Sequence, residues 1–455
     1  MLWVRRHADL VVAAIAGLAT VAIVGAELGR SFDFDESIAI TSTISRGSAR
    51  VALTETEVFN THPLFTAVQA EWWDLGGMGE ARQRIFPILY GALAVALLAG
   101  WATRRFGARA GVAAAAVFAL NPMFVSQARA VRGYSLAVLG VTLAVVCVLE
   151  YVRLDDRRSR TGTWLLAGHV IGIVAAMGTH VFAGVALGPT GLAALVLLGT
   201  IDRRLIVSWG VAGVGVALVY VWTIGELLDT ADARGNRYFS FLGELTFEEV
   251  LGRHPVTVAL LGGLVVVAWL SFVVVADRWR PRMACASAIV IVLVAAQFVL
   301  FWQVVQPFDL YPRFFLGAVP LVAIAVAVAV RHQAGLLVVA LLAVTFAVDD
   351  VQDVRTAEIP LRDAGEVVLA ADQLGLITCA VGGESIDLYT AGLRPAEIGV
   401  PADPSTVDFG PCGLFVRIGS WGAPLDPVAA ERFENAFRLG GIRVYSQVPP
   451  DQLGR

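Results

Sequence analysis

Three carboxylates, Asp33, Asp35 and Glu36, fall within four positions of "GRSFDFDESIA" (29–39), directly after an apolar run. Farther along, His62 in "NTHPLF", Arg84 in "RQRIFP", Arg132 and Tyr134 in "RAVRGYSL", His180 in "MGTHVF" and Arg313 in "YPRFFL" each stand at the edge of an apolar stretch. Ionisable side chains at membrane depth are costly, and they usually face a cavity or a charged partner. A carboxylate opposed by several arginines can handle a phosphate and a proton at one place. The guanidinium offers planar, bidentate contacts to phosphate oxygens, and an interfacial carboxylate can accept a proton as a general base.

Each of these residues also has a plainer reading. Asp35 could instead merely cap the helix "ESIAITSTI" by accepting backbone N–H bonds at its N-terminus, a role that suits Asp33 more than it suits Asp35, and Asp33 otherwise reads as solvated. Arg132 and Arg313 could anchor spans at the headgroups. His180 could be a hydrogen-bonded structural residue, and His62, before Pro63, could serve only to fix a turn. Arg84 is expected to pair with a loop carboxylate such as Glu80 rather than to touch a substrate.

The elements that must position these residues follow from composition. The 455 residues are 57% hydrophobic and 16% charged, with a mean hydropathy of +0.72, which leaves too little polar surface to cover a soluble globule. Lipid excludes unsatisfied backbone, and the Ala/Val/Leu/Gly runs lack the alternating polarity of barrel strands, so they read as spanning helices. Apolar windows fall at about 10–26, 84–101, 110–125, 132–151, 163–179, 181–200, 205–225, 256–276, 284–305, 314–330 and 334–348. These predict an α-helical polytopic membrane protein of about eleven spans of roughly 20 residues each. The first, in "MLWVRRHADLVVAAIAGLATVAIVGAELGR", has features of a signal peptide but reads as an uncleaved span.

Alternate connections carry the arginines: Arg5 and Arg6, "RRFGAR" (104–109), "RLDDRRSR" (153–160), "DRR" (202–204), "DRWRPR" (277–282) and "RH" (331–332). Short cytoplasmic loops are enriched in basic residues. The N-terminus is therefore expected in the cytoplasm, and all the candidate site residues on the outer face. The net charge of −4 argues against a nucleic-acid partner. The basic residues are all arginine, which fits a GC-rich bacterial genome and a bacterial plasma membrane.

Residues 1–348 are thus expected to form the transmembrane part, with an outer loop at 27–83. In that loop "DESIAITSTISRG" and "HPLFTAVQAEWWDLGG" read as short interfacial helices, with Trp72 and Trp73 at headgroup level. From about 349 acidic residues, Pro and Gly become frequent. There "ITCAVGG", "GLFVRIG" and "IRVYSQV" read as strands, and "AGEVVLAADQLG" and "DPVAAERFENAFRLGG" as helices. Residues 349–455 are therefore expected to be a small extracytoplasmic α/β domain. Cys147 and Cys285 read as small hydrophobes within spans. Cys379 and Cys412 lie in the outer domain, where a disulfide is permitted but not required by the sequence.

The succession "DFDESIAI", "HPLFTAVQAEWWDLGGMGEARQRIFPILYGALAVALLAGWATRRFGARAGVAAAAVFALNPMFVSQARAVRGYSL", "GTHVFAGVAL" and "YPRFFLGAVPLVAIA" resembles the GT-C superfamily of polyprenyl-phosphate-sugar-dependent glycosyltransferases. The nearest branches are the bacterial relatives of protein O-mannosyltransferases and the aminoarabinose transferases of lipid A. The resemblance covers roughly residues 25–200 and 305–330. It implies inverting transfer of one sugar from a lipid monophosphate to an acceptor hydroxyl of a cell-envelope glycan, a glycolipid or a protein.

The family's Asp-Glu pair maps onto Asp35, as general base, and Glu36. Arg132 and Arg313 would serve the phosphate, with His62, Tyr134 and His180 as further substrate contacts. A monophosphate leaving group makes no metal obligatory, although a divalent ion is compatible with it. Ala130 stands where many relatives carry an acidic residue, Leu64 where a second Pro is frequent, and Thr61 where the aminoarabinose transferases have an acidic residue. A transporter or flippase of a lipid-linked saccharide would instead place ionisable or helix-breaking residues near mid-span, and a non-catalytic scaffold would make Asp35, Arg132 and Arg313 coincidental.

Overall fold

The computed structural model describes residues 7–54, 62–76, 79–221, 223, 282, 285–286, 288–294, 316–330, 333–356, 361–381, 389–390, 396–397, 412–417, 433–439 and 442–454. At a few positions inside helices, Asp35 among them, only the backbone is described. Arg313 and the expected span at 256–276 lie outside the described residues.

The helices run in order α1 (Ala8–Val24), α2 (Phe34–Ser42), α3 (Ala49–Thr54), α4 (Pro63–Asp74), α5 (Glu80–Gln83), α6 (Ile85–Phe106), α7 (Ala108–Ala119), α8 (Pro122–Arg129), α9 (Tyr134–Arg153), α10 (Arg160–Met177), α11 (Gly184–Leu198), α12 (Arg203–Tyr220), α13 (Val319–Ala329), α14 (Gln333–Thr356) and α15 (Leu361–Gln373). Among the described residues four segments are long and apolar enough to cross a membrane: Glu80–Phe106, Tyr134–Arg153, Val181–Leu198 and Arg203–Tyr220. Shorter apolar helices occupy Ala8–Val24, Leu316–Ala329 and Gly335–Ala347.

The single span expected at 110–125 is instead two helices, α7 and α8, bent by 64°. The break is local chemistry: Asn121 accepts the Phe124 N–H at 3.0 Å as N-cap, and Pro122 occupies the first turn, where its missing N–H costs nothing. The bend returns the chain so that the buried Phe124 ring packs 4.9 Å from Phe118.

Small residues let the long helices approach closely. Gly140 on α9 faces the α10 backbone at Gly172 and Ala176, and Gly172 faces the α9 backbone at Gly140 and Ala144, so a Cβ at either would strike main chain. The core runs through α1, α6, α7, α9 and α13, with Leu98, Ala99, Phe118, Val138, Val141 and Ala323 wholly buried.

Strands β1 (Thr378–Val381), β2 (Ala396–Glu397), β3 (Leu414–Arg417), β4 (Asn435–Leu439) and β5 (Ile442–Ser446) form one sheet in the order β2-β1-β3-β5-β4. β1 is parallel to β2 and β3, whereas β3–β5 and β4–β5 are antiparallel. Helix α15 buries Leu361, Ala364, Val367, Val368 and Ala371 in a common cluster with Leu414, Val416, Ile442 and Val444 of the sheet. A disulfide joins Cys379 of β1 to Cys412, just before β3.

The helix expected over "DPVAAERFENAFRLGG" is overturned at its end by β4. The register pairs Leu439 with Ile442, leaving two residues, both glycine in the sequence, between the strands. Gly-Gly between two apolar runs is a hairpin signal, and pairing with β5 overrides the helical spacing. Helix α14 runs unbroken through position 349, where the composition changes.

Candidate functional site

The chain between α1 and α2 turns at 28–30 and runs on to Asp33, the N-cap of α2. Asp33 Oδ1 accepts the Glu36 N–H at 2.7 Å, and Glu36 Oε2 accepts the Asp33 N–H at 2.8 Å. This reciprocal capping box satisfies two otherwise orphaned donors. Asp33 is therefore an N-cap rather than a solvated bystander, and the capping role considered for Asp35 belongs to it. Asp35 lies in the first turn of α2, and its side chain lies outside the described residues.

Glu36 is wholly buried. Its Oε1 accepts from Arg84 Nε at 3.3 Å and from the Val131 N–H at 2.7 Å, and its Oε2 accepts from Arg84 Nη2 at 2.7 Å. Arg30 Nη2 stands 3.9 Å from the same Oε2 and 3.8 Å from Asp33 Oδ2. Arg84 is equally buried and lies over the Phe32 ring, its guanidinium carbon 5.1 Å from the centroid. Arg84 thus pairs with a carboxylate of the 27–83 loop, as expected, but the carboxylate is Glu36 rather than Glu80, which pairs with Arg362. Glu36 accommodates Arg84 because α2 sets it on the inner face beside the wholly buried Phe32, Ile40, Ile44, Phe65 and Val131. An ion pair in such surroundings must be fully hydrogen-bonded to be tolerated.

Val131 links this core to the second half of the site. Immediately after it, Arg132 places its guanidinium carbon 5.5 Å from the Tyr134 ring centroid. The Tyr134 ring stands 4.6 Å from His62 and 5.2 Å from His180, and the two histidines are 5.1 Å apart. His62, the residue before α4, directs Nδ1 to the Thr179 carbonyl at 3.2 Å, and the Leu64 N–H donates to the Gly178 carbonyl at 3.1 Å. The start of α4 is thereby stitched to the end of α10. Gly133 makes the approach possible, since a Cβ there would collide with Thr179, His62 and Phe65.

The structure therefore brings together four of the expected residues, His62, Arg132, Tyr134 and His180, and ties them through Val131 to Glu36 and the α1–α2 loop. Arg313 lies outside the described residues. Arg30 and Gly133 carry structural weight that the sequence did not assign, whereas the pairing of Arg84 was signalled by its position at the opening of the apolar run of α6, where a charge needs a buried partner.

Two residues of the C-terminal region reach the same loop. The Tyr389 hydroxyl accepts the Phe32 N–H at 2.8 Å and donates to Glu80 Oε1 at 3.2 Å, and Arg362 Nη2 donates to the Gly29 carbonyl at 3.2 Å. Burial pushes the Tyr389 phenol well above its ordinary value, so it remains a donor across the physiological range. The hydrogen bond to Glu80 likewise raises the pKa of Arg362.

The profile of the dolichyl-phosphate-mannose-protein mannosyltransferase family matches residues 60–224, a segment that includes α4, the Arg132–Tyr134 turn and His180. ArnT from Cupriavidus metallidurans in the apo state shares the fold over 98% of both chains, with a TM-score of 0.60 and 15% identity. The same protein bound to undecaprenyl phosphate also matches over 98% of both, with a TM-score of 0.57 and 16% identity. The archaeal oligosaccharyltransferase AglB from Archaeoglobus fulgidus, in complex with an inhibitory peptide and a dolichol-phosphate, matches 91% of this chain and 70% of its own, with a TM-score of 0.54 and 14% identity. Among curated proteins no sequence match is found. The resemblance to the GT-C superfamily is thus met both in sequence and in fold.

Proposed function

We propose that the protein is an integral membrane glycosyltransferase that moves a single hexosyl or pentosyl unit from a polyprenyl-phosphate carrier to an acceptor hydroxyl of an envelope glycan, a glycolipid or a protein. The transfer takes place on the extracytoplasmic face of a bacterial plasma membrane, with the N-terminus in the cytoplasm, residues 1–348 as the catalytic part and 349–455 as an outer domain. The observation that carries this reading is the convergence of His62, Arg132, Tyr134 and His180 in one cluster, tied through Val131 and Glu36 to the turn that bears Asp35.

In the proposed reaction Asp35 takes the acceptor's proton as its oxygen attacks the anomeric carbon from the face opposite the phosphate. The bond from that carbon to the phosphate oxygen breaks, and its electron pair leaves with the lipid phosphate. Arg132 and Arg313 stabilise the charge that develops. Glu36, with both oxygens engaged, serves as a positioning residue rather than as a second base. Guanidinium groups suit a monophosphate leaving group, so a metal is not obligatory in this scheme.

The test is incubation of the purified protein with a panel of radiolabelled polyprenyl-phosphate sugars and membrane acceptors, wild type against Asp35→Asn. Transfer by the wild type and a loss of at least about a hundredfold in the variant are expected, the scale of a missing general base. Full activity of Asp35→Asn would remove that assignment, and absence of turnover with every donor would favour transport.

A further inference from the structure

Residues 28–33 connect α1 to α2 and lead into the turn on which Asp35 stands. Their backbone is held from two sides. From the bundle, Arg84 Nη1 donates to the carbonyls of Leu28 (3.1 Å) and Arg30 (2.6 Å), and Nη2 to that of Ser31 (3.1 Å). From the C-terminal region, Arg362 takes the Gly29 carbonyl and Tyr389 the Phe32 N–H. The Asp33 N–H closes the series on Glu36. Four successive carbonyls and the two N–H groups that follow are thus all bonded to side chains, in a segment outside any helix or sheet.

The outer holdfasts belong to a folded unit, not to loose chain. Arg362 sits at the start of α15, whose inner face is buried against the sheet. Tyr389 lies in the excursion closed by the Cys379–Cys412 disulfide, whose ends are 33 positions apart. The Tyr389 ring packs 6.4 Å from that of the wholly buried Phe32. The Glu80–Arg362 pair is half-exposed, the Arg362 side chain being 44% accessible, so it contributes little by itself. The part-buried hydroxyl contact at Phe32 is the stronger of the two.

We infer that α15 and the sheet it packs on, with Tyr389, act as a clamp on the 28–36 turn, with Tyr389 and Arg362 as positioning residues whose docking sets where Asp35 stands during transfer; the catalytic half of this inference rests on the transferase reading above. A catalytic group displaced by about 1 Å can cost a large factor in rate without any change in what binds. The clamp therefore acts on turnover rather than on donor affinity.

The experiment compares wild type, Tyr389→Phe and Arg362→Ala in detergent micelles by amide hydrogen exchange and by transfer from the same panel of radiolabelled donors. Tyr389→Phe keeps the ring and its packing but removes the acceptor for the Phe32 N–H and the donor to Glu80. It is expected to speed exchange in peptides covering 28–36 by about tenfold and to lower kcat by about tenfold, with KM for the donor unchanged. Arg362→Ala should shift both in the same direction by less. Wild-type exchange in Tyr389→Phe would overturn the clamp, as would an unchanged kcat alongside faster exchange or a rise in KM alone. A wild type that turns over no donor would overturn the transferase reading and the catalytic half with it, and the exchange measurement would then decide the docking half alone.

Discussion

The two ends of the helix bundle handle charge in opposite ways. At one end, where α6, α9 and α11 finish and α10 and α12 begin, the ionic contacts are shallow. Arg105 pairs with Glu150, which also accepts from Trp101 Nε1 at 2.7 Å, and Arg104 Nε stands 3.5 Å from Asp9 with 67% of its side chain exposed. Tyr151 donates to Asp202 at 2.9 Å, and Arg204 reaches the Arg157 carbonyl. At the other end Glu36 and Arg84 are wholly inaccessible and share a closed set of partners. Exposed pairs are replaceable by water and orient little, whereas a buried pair is costly to assemble and costlier to break, and so fixes geometry. The buried pair lies at the end that carries the Asp35 turn, where the proposed transfer would need fixed geometry.

Breaking that difference should give effects in a clear order. Arg84→Ala strands the Glu36 carboxylate and frees three carbonyls, so a loss of about 3–5 kcal/mol is expected, seen as failure to recover monodisperse protein or a large drop in Tm. Recovery of an Arg84→Ala protein with wild-type Tm would erase the contrast. Gly133→Ala drives a methyl into Thr179, His62 and Phe65 and should cost about 1–3 kcal/mol. Its transfer activity should fall further than its Tm, because the displaced groups are those of the site. Glu150→Gln, at the opposite end, keeps an acceptor for Trp101 and weakens only a part-exposed ion pair. A change of about 1 kcal/mol or less is expected, read from the same melting curves with activity retained. A Glu150→Gln effect as large as that of Arg84→Ala would mean that both ends are equally organised.

Much of this frame is legible in residue order. Helices α2 and α4 lie where the helical spacing within 27–83 puts them, and β1, β3 and β5 lie within the three strand-like runs. Arg132 falls at the turn before α9, Tyr134 at the first position of α9 and His180 at the turn after α10, at the edges of the apolar windows. The pairing of Asp33 with Glu36 was equally readable, since Asp-x-x-Glu before an apolar run is a capping-box pattern. The same residues look like a catalytic acidic cluster, and spacing does not separate the two readings. The bend between α7 and α8 was signalled by Asn121-Pro122, but continuous hydrophobicity on both sides concealed it.

The sequence by itself determined that the chain is a membrane-helix protein, where most of its described helices begin and end, and that its polar groups gather at span edges. Those follow from local terms: hydrophobic length, capping and backbone stereochemistry. Only the tertiary structure decided that Glu36 meets an arginine 48 residues away and that Tyr389 meets the amide of Phe32 across 357 residues. Several arginines and carboxylates of equal chemistry were available, and charge attraction does not choose among them by sequence. The choice is made by which pair the packing of Phe32, Phe65 and Val131 seals from water, because only there does a misplaced charge cost enough to exclude the alternatives.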